Sequence, residues 1–116
     1  MTYGIIDIGS NTIRLNIYKI KGESFELLLS KKEAAGLVQY VKKEKMSDEG
    51  IHRLAECLNR FKEMMDLLHL DGYAAFATAS LRNINNSKEV IEAIWSLCQI
   101  RIDLLSGAQE GRISFH

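Results

Sequence analysis

Gly4-Ile5-Ile6-Asp7-Ile8-Gly9-Ser10-Asn11-Thr12-Ile13-Arg14-Leu15 is the stretch from which the rest of this 116-residue sequence is read. Tyr3, Ile5, Ile6 and Ile8 form a nearly continuous apolar run, which predicts a strand buried on both faces. Ile13, Leu15 and Ile17 then alternate with Arg14, Asn16 and Tyr18, the period of a strand covered on one face only. Between the two, Gly9-Ser10-Asn11-Thr12 predicts a tight turn with a cluster of backbone N–H groups, two hydroxyls and an amide. A strand-end Asp beside such a turn suits phosphate chemistry. The bared N–H groups make a concavity for an anion, and the carboxylate can hold a hydrated Mg²⁺ that bridges to the same phosphate. The residue types alone leave an ordinary β-hairpin open as well, because turns favour Asp, Gly, Ser and Asn.

Working outward, the chain has room for one domain and little more. Its apolar share of 47% and charged share of 26% are those of a globular protein. Fifteen basic and fifteen acidic residues cancel, which argues against nucleic acid as the main partner while leaving room for an anion site built from backbone dipoles. Cys57 and Cys98 lie far apart in apolar-periodic stretches without a metal-binding spacing, and are expected to be reduced core thiols of a cytoplasmic protein. The N-terminus enters a strand at once, so neither a signal peptide nor a membrane span is expected.

Phe25 to Lys31 predicts a third strand after a turn at Lys21-Gly22-Glu23, completing an antiparallel meander. Lys42-Lys43-Glu44-Lys45 reads as a solvated loop. Ser47 followed by Asp48 and Glu49 predicts a helix start, and Ile51, Leu54, Leu58, Phe61, Met65 and Leu68 give that helix one apolar stripe, with Met64 and Met65 as packing residues. His52 and His69 are too far apart to share a metal as sequence neighbours and read as surface or helix-end residues. Tyr73 to Thr78 predicts a strand and Ser87 to Cys98 a helix. Asn86 and Glu89 read as its capping box, and Val90, Ile94 and Leu97 as its buried side. Ile100, Ile102 and Leu104 alternate as a last strand, and Ser106 to Gln109 has the pattern of a helix start. A meander followed by strand, helix and parallel strand makes a mixed, five-stranded α/β sheet.

Two further polar clusters follow strands: Ala77-Thr78-Ala79-Ser80-Leu81-Arg82-Asn83, and Ser106 to Arg112. Ligands of open α/β sheets gather at the carboxyl ends of strands, so the first turn, Arg82 and Glu110 are expected to converge on one cleft. Arg82 offers a permanently charged planar fork for phosphate oxygens, and Glu110 a general base toward water. Singly, a surface ion pair would explain Arg82 and a helix-capping carboxylate would explain Glu110. Their shared place at strand ends is what joins them.

Ile6-Asp7-Ile8-Gly9-Ser10-Asn11-Thr12, then Ala77 to Asn83, then Leu105-Ser106-Gly107-Ala108-Gln109-Glu110-Gly111-Arg112 together resemble the exopolyphosphatase / guanosine pentaphosphate phosphohydrolase family in content, order and spacing. The resemblance implies a ribonuclease-H-like half-domain of the actin-like, hexokinase-like superfamily, whose two halves clasp phosphate between two loops. It implies that Asp7 helps to hold Mg²⁺, that Gly9, Ser10, Asn11 and Thr12 form the first phosphate loop, and that Arg82 binds a substrate phosphate. Glu110 falls at the second carboxylate of the family's S-G-x-E-E-A-R motif, the catalytic base. The implied partner is polyphosphate or a guanosine polyphosphate nucleotide, with a homodimer for the parent protein.

Gln109 stands where the family has Glu, and Gly111 where it has Ala, a change that weakens that helix's first turn by roughly 1 kcal/mol. The family's second phosphate loop, a D-x-G-G-G-S run, does not occur in residues 1–116, so the chain is expected to be a single N-terminal subdomain without hydrolytic activity of its own. Other readings of the same residues are half of an actin-like ATPase or of a sugar or carboxylate kinase, a non-catalytic polyphosphate- or alarmone-binding module, and a protein-interaction domain.

Overall fold

The computed structural model describes residues 1–104, apart from the side chains at 79 and 80. The predicted start of a helix at Ser106, and Glu110 with it, lie outside the described residues. β1 (Thr2–Ile8), β2 (Ile13–Lys21) and β3 (Ser24–Glu33) form the expected meander. After a 3₁₀ turn at Leu37–Tyr40 come β4 (Val41–Lys42), β5 (Lys45–Met46), α1 (Asp48–Leu67), β6 (Gly72–Ala77), the single turn α2 (Ala79–Arg82), α3 (Ser87–Cys98) and β7 (Ile102–Leu104). The main sheet has the order β3-β2-β1-β6-β7, with β1 antiparallel to β2 and parallel to β6, and β6 parallel to β7. This is the mixed five-stranded sheet that the sequence predicts.

Core packing explains where the strands differ from expectation. Ile6, Ile8, Ile13, Leu15 and Ile17 are buried in one cluster with Leu54, Leu58, Phe61 and Met65 of α1 and Val90, Ile94 and Cys98 of α3. Tyr3 and Ile5 are only half-buried and Asp7 is exposed, so β1 alternates instead of being buried on both faces. Both long helices belong to that one core, and among the described residues they cover one face of the sheet. Leu68 lies at the C-cap of α1 and is exposed, and in α3 the buried series runs Val90, Ile94, Cys98, leaving Leu97 exposed. Among the described residues no helix is long and apolar enough to cross a membrane.

Ser47 caps α1 as expected, its hydroxyl accepting from the Gly50 N–H at 3.2 Å. The charge run is a hairpin and not a loop: Lys43 and Glu44 both take left-handed backbone, at φ 52° and 63°, between β4 and β5. Neither residue type advertises that turn, because its positive φ values favour Gly and Asn. Tertiary contacts hold it. The Asn85 N–H donates to the Glu44 carbonyl at 2.6 Å, and the Asn86 carboxamide accepts from the Met46 N–H and donates to the Met46 carbonyl, both at 3.0 Å. Asn86 therefore occupies the N-cap position of α3 without capping it by a side-chain bond.

Cys57 and Cys98 are buried and free. Burial first, and then the neighbouring Glu33 carboxylate, push the Cys57 thiol up to about 11. The Glu33 carboxyl would itself be raised by burial, but the Cys57 thiol, its ion pair with Arg60 and the charge of Arg53 outweigh this and hold it below the usual range. A thiol so raised and buried is almost wholly protonated at pH 8, and the thiolate is the nucleophile. An aromatic disulfide reagent at pH 8 should therefore leave Cys57 unmodified in the native chain and label it after unfolding in urea. Rapid native labelling would contradict this placement.

Gly50 sits where α1 crosses the preceding segment. A Cβ there would lie 2.5 Å from Cβ of Tyr40 and 2.8 Å from Cγ of Met46. Helix propensity alone favours Gly50→Ala by about 1 kcal/mol, whereas overpacking of this kind costs about 1–3 kcal/mol. Gly50→Ala should thus lower the urea midpoint, and a raised midpoint would show that the crossing relaxes freely.

Candidate functional site

Register determines what the sheet presents at one edge. Ile8 pairs with Ala77 and Ala77 with Leu104, so the three parallel strands end level with one another. The 9–12 turn and the 78–83 segment leave the sheet side by side, at the edge where β7 also ends. Carboxyl ends of neighbouring parallel strands are where open α/β sheets bind ligands.

Asp7 stands at this edge between Ile6 and Ile8, both 0% exposed, which fixes its side chain toward the opposite, open face. In the turn that follows, three of the four carbonyls, those of Ser10, Asn11 and Thr12, are engaged. Thr12 O accepts from the Gly9 N–H at 3.0 Å, Asn11 O from Gly36 at 2.9 Å and Ser10 O from Val38 at 2.9 Å. Among the described residues none of the N–H groups of Ser10, Asn11 and Thr12 donates to a backbone carbonyl. A loop whose acceptors are tied back and whose donors remain attracts an anion. Gly9 permits the closure, because a Cβ there would stand 2.9 Å from Thr12 O.

Arg82 ends α2, its N–H donating to the Thr78 carbonyl at 2.8 Å. Leu81 and Ile84 on either side of Arg82 and Asn83 are buried, at 0% and 8%, which leaves Arg82 and Asn83 facing outward. The structure thus brings Asp7, Gly9, Ser10, Asn11, Thr12 and Arg82 to one edge of the sheet. Glu110 lies outside the described residues.

One residue was missed in the sequence. Arg14 lies directly opposite Asp7 in the β1–β2 ladder, so the two share a face. The signal was available, since a four-residue turn closing on Ile8 and Ile13 makes positions 7 and 14 partners. Along the same row lie Lys32, Arg14, Asp7, Phe76 and Asp103. Asp103 is two strands from Asp7, about 10 Å by strand spacing, too far to share a small cation with it.

Among the described residues no three of His, Cys, Asp and Glu gather closely enough to hold a metal. Mg²⁺ keeps most of its waters and takes one or two carboxylates plus substrate phosphate oxygens, so its chemistry does not require such a cluster.

Residues 16–116 match the model of the Ppx/GppA phosphatase family. Exopolyphosphatase 1 of Mycobacterium leprae is 25% identical over 117 residues, covering 99% of this chain and 34% of that protein. The crystal structure of the Aquifex aeolicus Ppx/GppA family member superposes with a TM-score of 0.89 at 26% identity, over 97% of this chain and 37% of that one. An exopolyphosphatase from Cytophaga hutchinsonii gives 0.88 at 26%, over 97% and 36%. The chain spans about a third of the length of these relatives, and shares with them the fold of an actin-like, hexokinase-like half-domain. The sheet, the strand-end loops and the match over residues 16–116 place this chain in the Ppx/GppA phosphatase family.

Proposed function

We propose that the chain is the N-terminal, phosphate-gripping part of a Mg²⁺-dependent phosphohydrolase that cleaves terminal phosphoanhydride bonds of inorganic polyphosphate, of guanosine pentaphosphate, or of both. The observation that carries this reading is the 9–12 turn, with the carbonyls of Ser10, Asn11 and Thr12 tied back, beside Asp7 and Arg82 at one sheet edge. Relatives described as exopolyphosphatases support the substrate class.

In this mechanism the N–H groups of Ser10, Asn11 and Thr12 donate to oxygens of the terminal phosphate. The Arg82 fork takes a further phosphate oxygen, holding the chain end in line for attack. Glu110 accepts a proton from a water molecule as that water's oxygen bonds to the terminal phosphorus. The anhydride P–O bond breaks, and the electron pair leaves on the shortened phosphate chain. Mg²⁺ held at Asp7 would supply charge neutralisation at the phosphate oxygens. The transferring group is anionic throughout, so fixed donors and cations are the main source of rate. With the second phosphate loop absent from residues 1–116, the isolated chain binds phosphate without turning it over. The parent protein is a cytoplasmic homodimer in this reading.

Phosphate release from long-chain polyphosphate and from guanosine pentaphosphate, with Mg²⁺, tests this reading in the full-length parent protein. Turnover of at least one substrate is expected, with none from the 116-residue chain alone. Glu110→Ala should lower kcat at least about 100-fold while sparing substrate binding. Retained kcat would remove Glu110 from the base role. Robust turnover by the isolated chain would refute the dependence on a second half.

A further inference from the structure

At the outer end of the row that crosses the site, Lys32 of β3 lies directly opposite Arg14 of β2. Both are exposed, and Arg14 is in turn opposite Asp7. Like charges directly opposite each other across an antiparallel pair are destabilising. Among the described residues neither cation is held by an ion pair with a carboxylate. The neighbouring lysine behaves otherwise: Lys31 pairs with Leu15 and so belongs to the other face of the sheet. A lysine on an edge strand also discourages strand-to-strand aggregation. That role needs neither the Asp7 face nor the carboxyl-edge row, and Lys31 would serve it equally well.

We propose that Lys32 is an additional substrate-binding residue, completing with Arg14 a cationic step that receives the phosphates beyond the terminal one. The proposal rests on the phosphate-binding reading of the 9–12 turn and Arg82. By strand spacing Lys32 is about 10 Å from Asp7, so an orthophosphate held at the turn does not reach it, whereas a chain of several phosphates does. The repulsion between Arg14 and Lys32 is a cost of the unliganded fold that a polyanion relieves on binding. Inorganic polyphosphate and a guanosine polyphosphate share this chemistry and would both use the step.

Thermal unfolding of the chain tests the idea, with Lys32→Gln, Lys31→Gln and Arg82→Gln each examined alone and with orthophosphate, a medium-chain polyphosphate, or guanosine pentaphosphate. Lys32→Gln should raise the Tm of the unliganded chain at low salt. It should also weaken binding of the oligophosphates about three- to tenfold and leave orthophosphate binding unchanged. Lys31→Gln should leave oligophosphate binding unchanged. A loss confined to guanosine pentaphosphate, or to polyphosphate, would identify which source the step serves. If the wild-type chain responds to polyphosphate, Arg82→Gln loses that response, and Lys32→Gln keeps it in full, then the Lys32 assignment is overturned and the site reading stands. If Lys31→Gln weakens binding as much as Lys32→Gln, the effect is diffuse electrostatics and the assignment is again overturned. If no phosphate species stabilises the wild-type chain, the site reading fails and takes this proposal with it.

Discussion

The parallel, in-register pairing of β6 with β1 is the constraint on which the rest of the molecule depends. It sets Ile8 level with Ala77, and through β7 sets Ala77 level with Leu104, so chain segments far apart in sequence leave the sheet together. A slip of one residue would turn Ile6 and Ile8 out of the core and Asp7 into it. Both isoleucines are completely buried, so the apolar cost of such a slip runs to several kcal/mol, at about 1.5–3 kcal/mol for each buried side chain. The hydrophobic core beneath the sheet thereby positions a carboxylate above it.

The loops are held by the same economy of contacts. The 36–38 segment takes up the Ser10 and Asn11 carbonyls, and the 85–86 segment takes up the hairpin that follows. The chain between β3 and α1 therefore spans from the first site loop to the segment just beyond Arg82. None of these bonds touches the proposed phosphate, yet they decide which backbone groups of the 9–12 turn remain to meet it. Preorganisation of this kind is what makes fixed dipoles effective on a charged transition state.

Much of this was legible in the sequence because strong local signals agreed with one another. The period-two alternation from Ile13 to Ile17, the Ser47 cap and the three-four spacing from Ile51 to Met65 each specify an element without outside help. The hairpin at Val41–Met46 was not legible. Its turn places Lys and Glu in left-handed backbone, which contacts with Asn85 and Asn86, distant in sequence, help to sustain. Asn86 misled for a related reason: its amide mimics a peptide group toward Met46, while its sequence spacing to Glu89 suggests a cap. The half-exposed faces of Tyr3 and Ile5 were hidden because burial depends on which layers cover the sheet, and an apolar run does not count layers. Of the site, Asp7, its loop and Arg82 followed from motif and strand-end logic. Arg14 could have been placed from the length of the 9–12 turn, whereas Lys32 emerged only once the β2–β3 register, with its irregularity between Ile17 and Tyr18, was known.

The central claim is that the amides of the 9–12 turn and the Arg82 segment belong to one anion-binding edge. Backbone amide chemical-shift mapping of the ¹⁵N-labelled chain, titrated with tripolyphosphate in the presence of Mg²⁺, reads this directly. The largest shifts are predicted at Ser10, Asn11 and Thr12 and around Arg82, saturating together with one affinity. Shifts concentrated at the far end of the sheet, around Gly22 and Asp71, or saturating separately in the two loops, would contradict it.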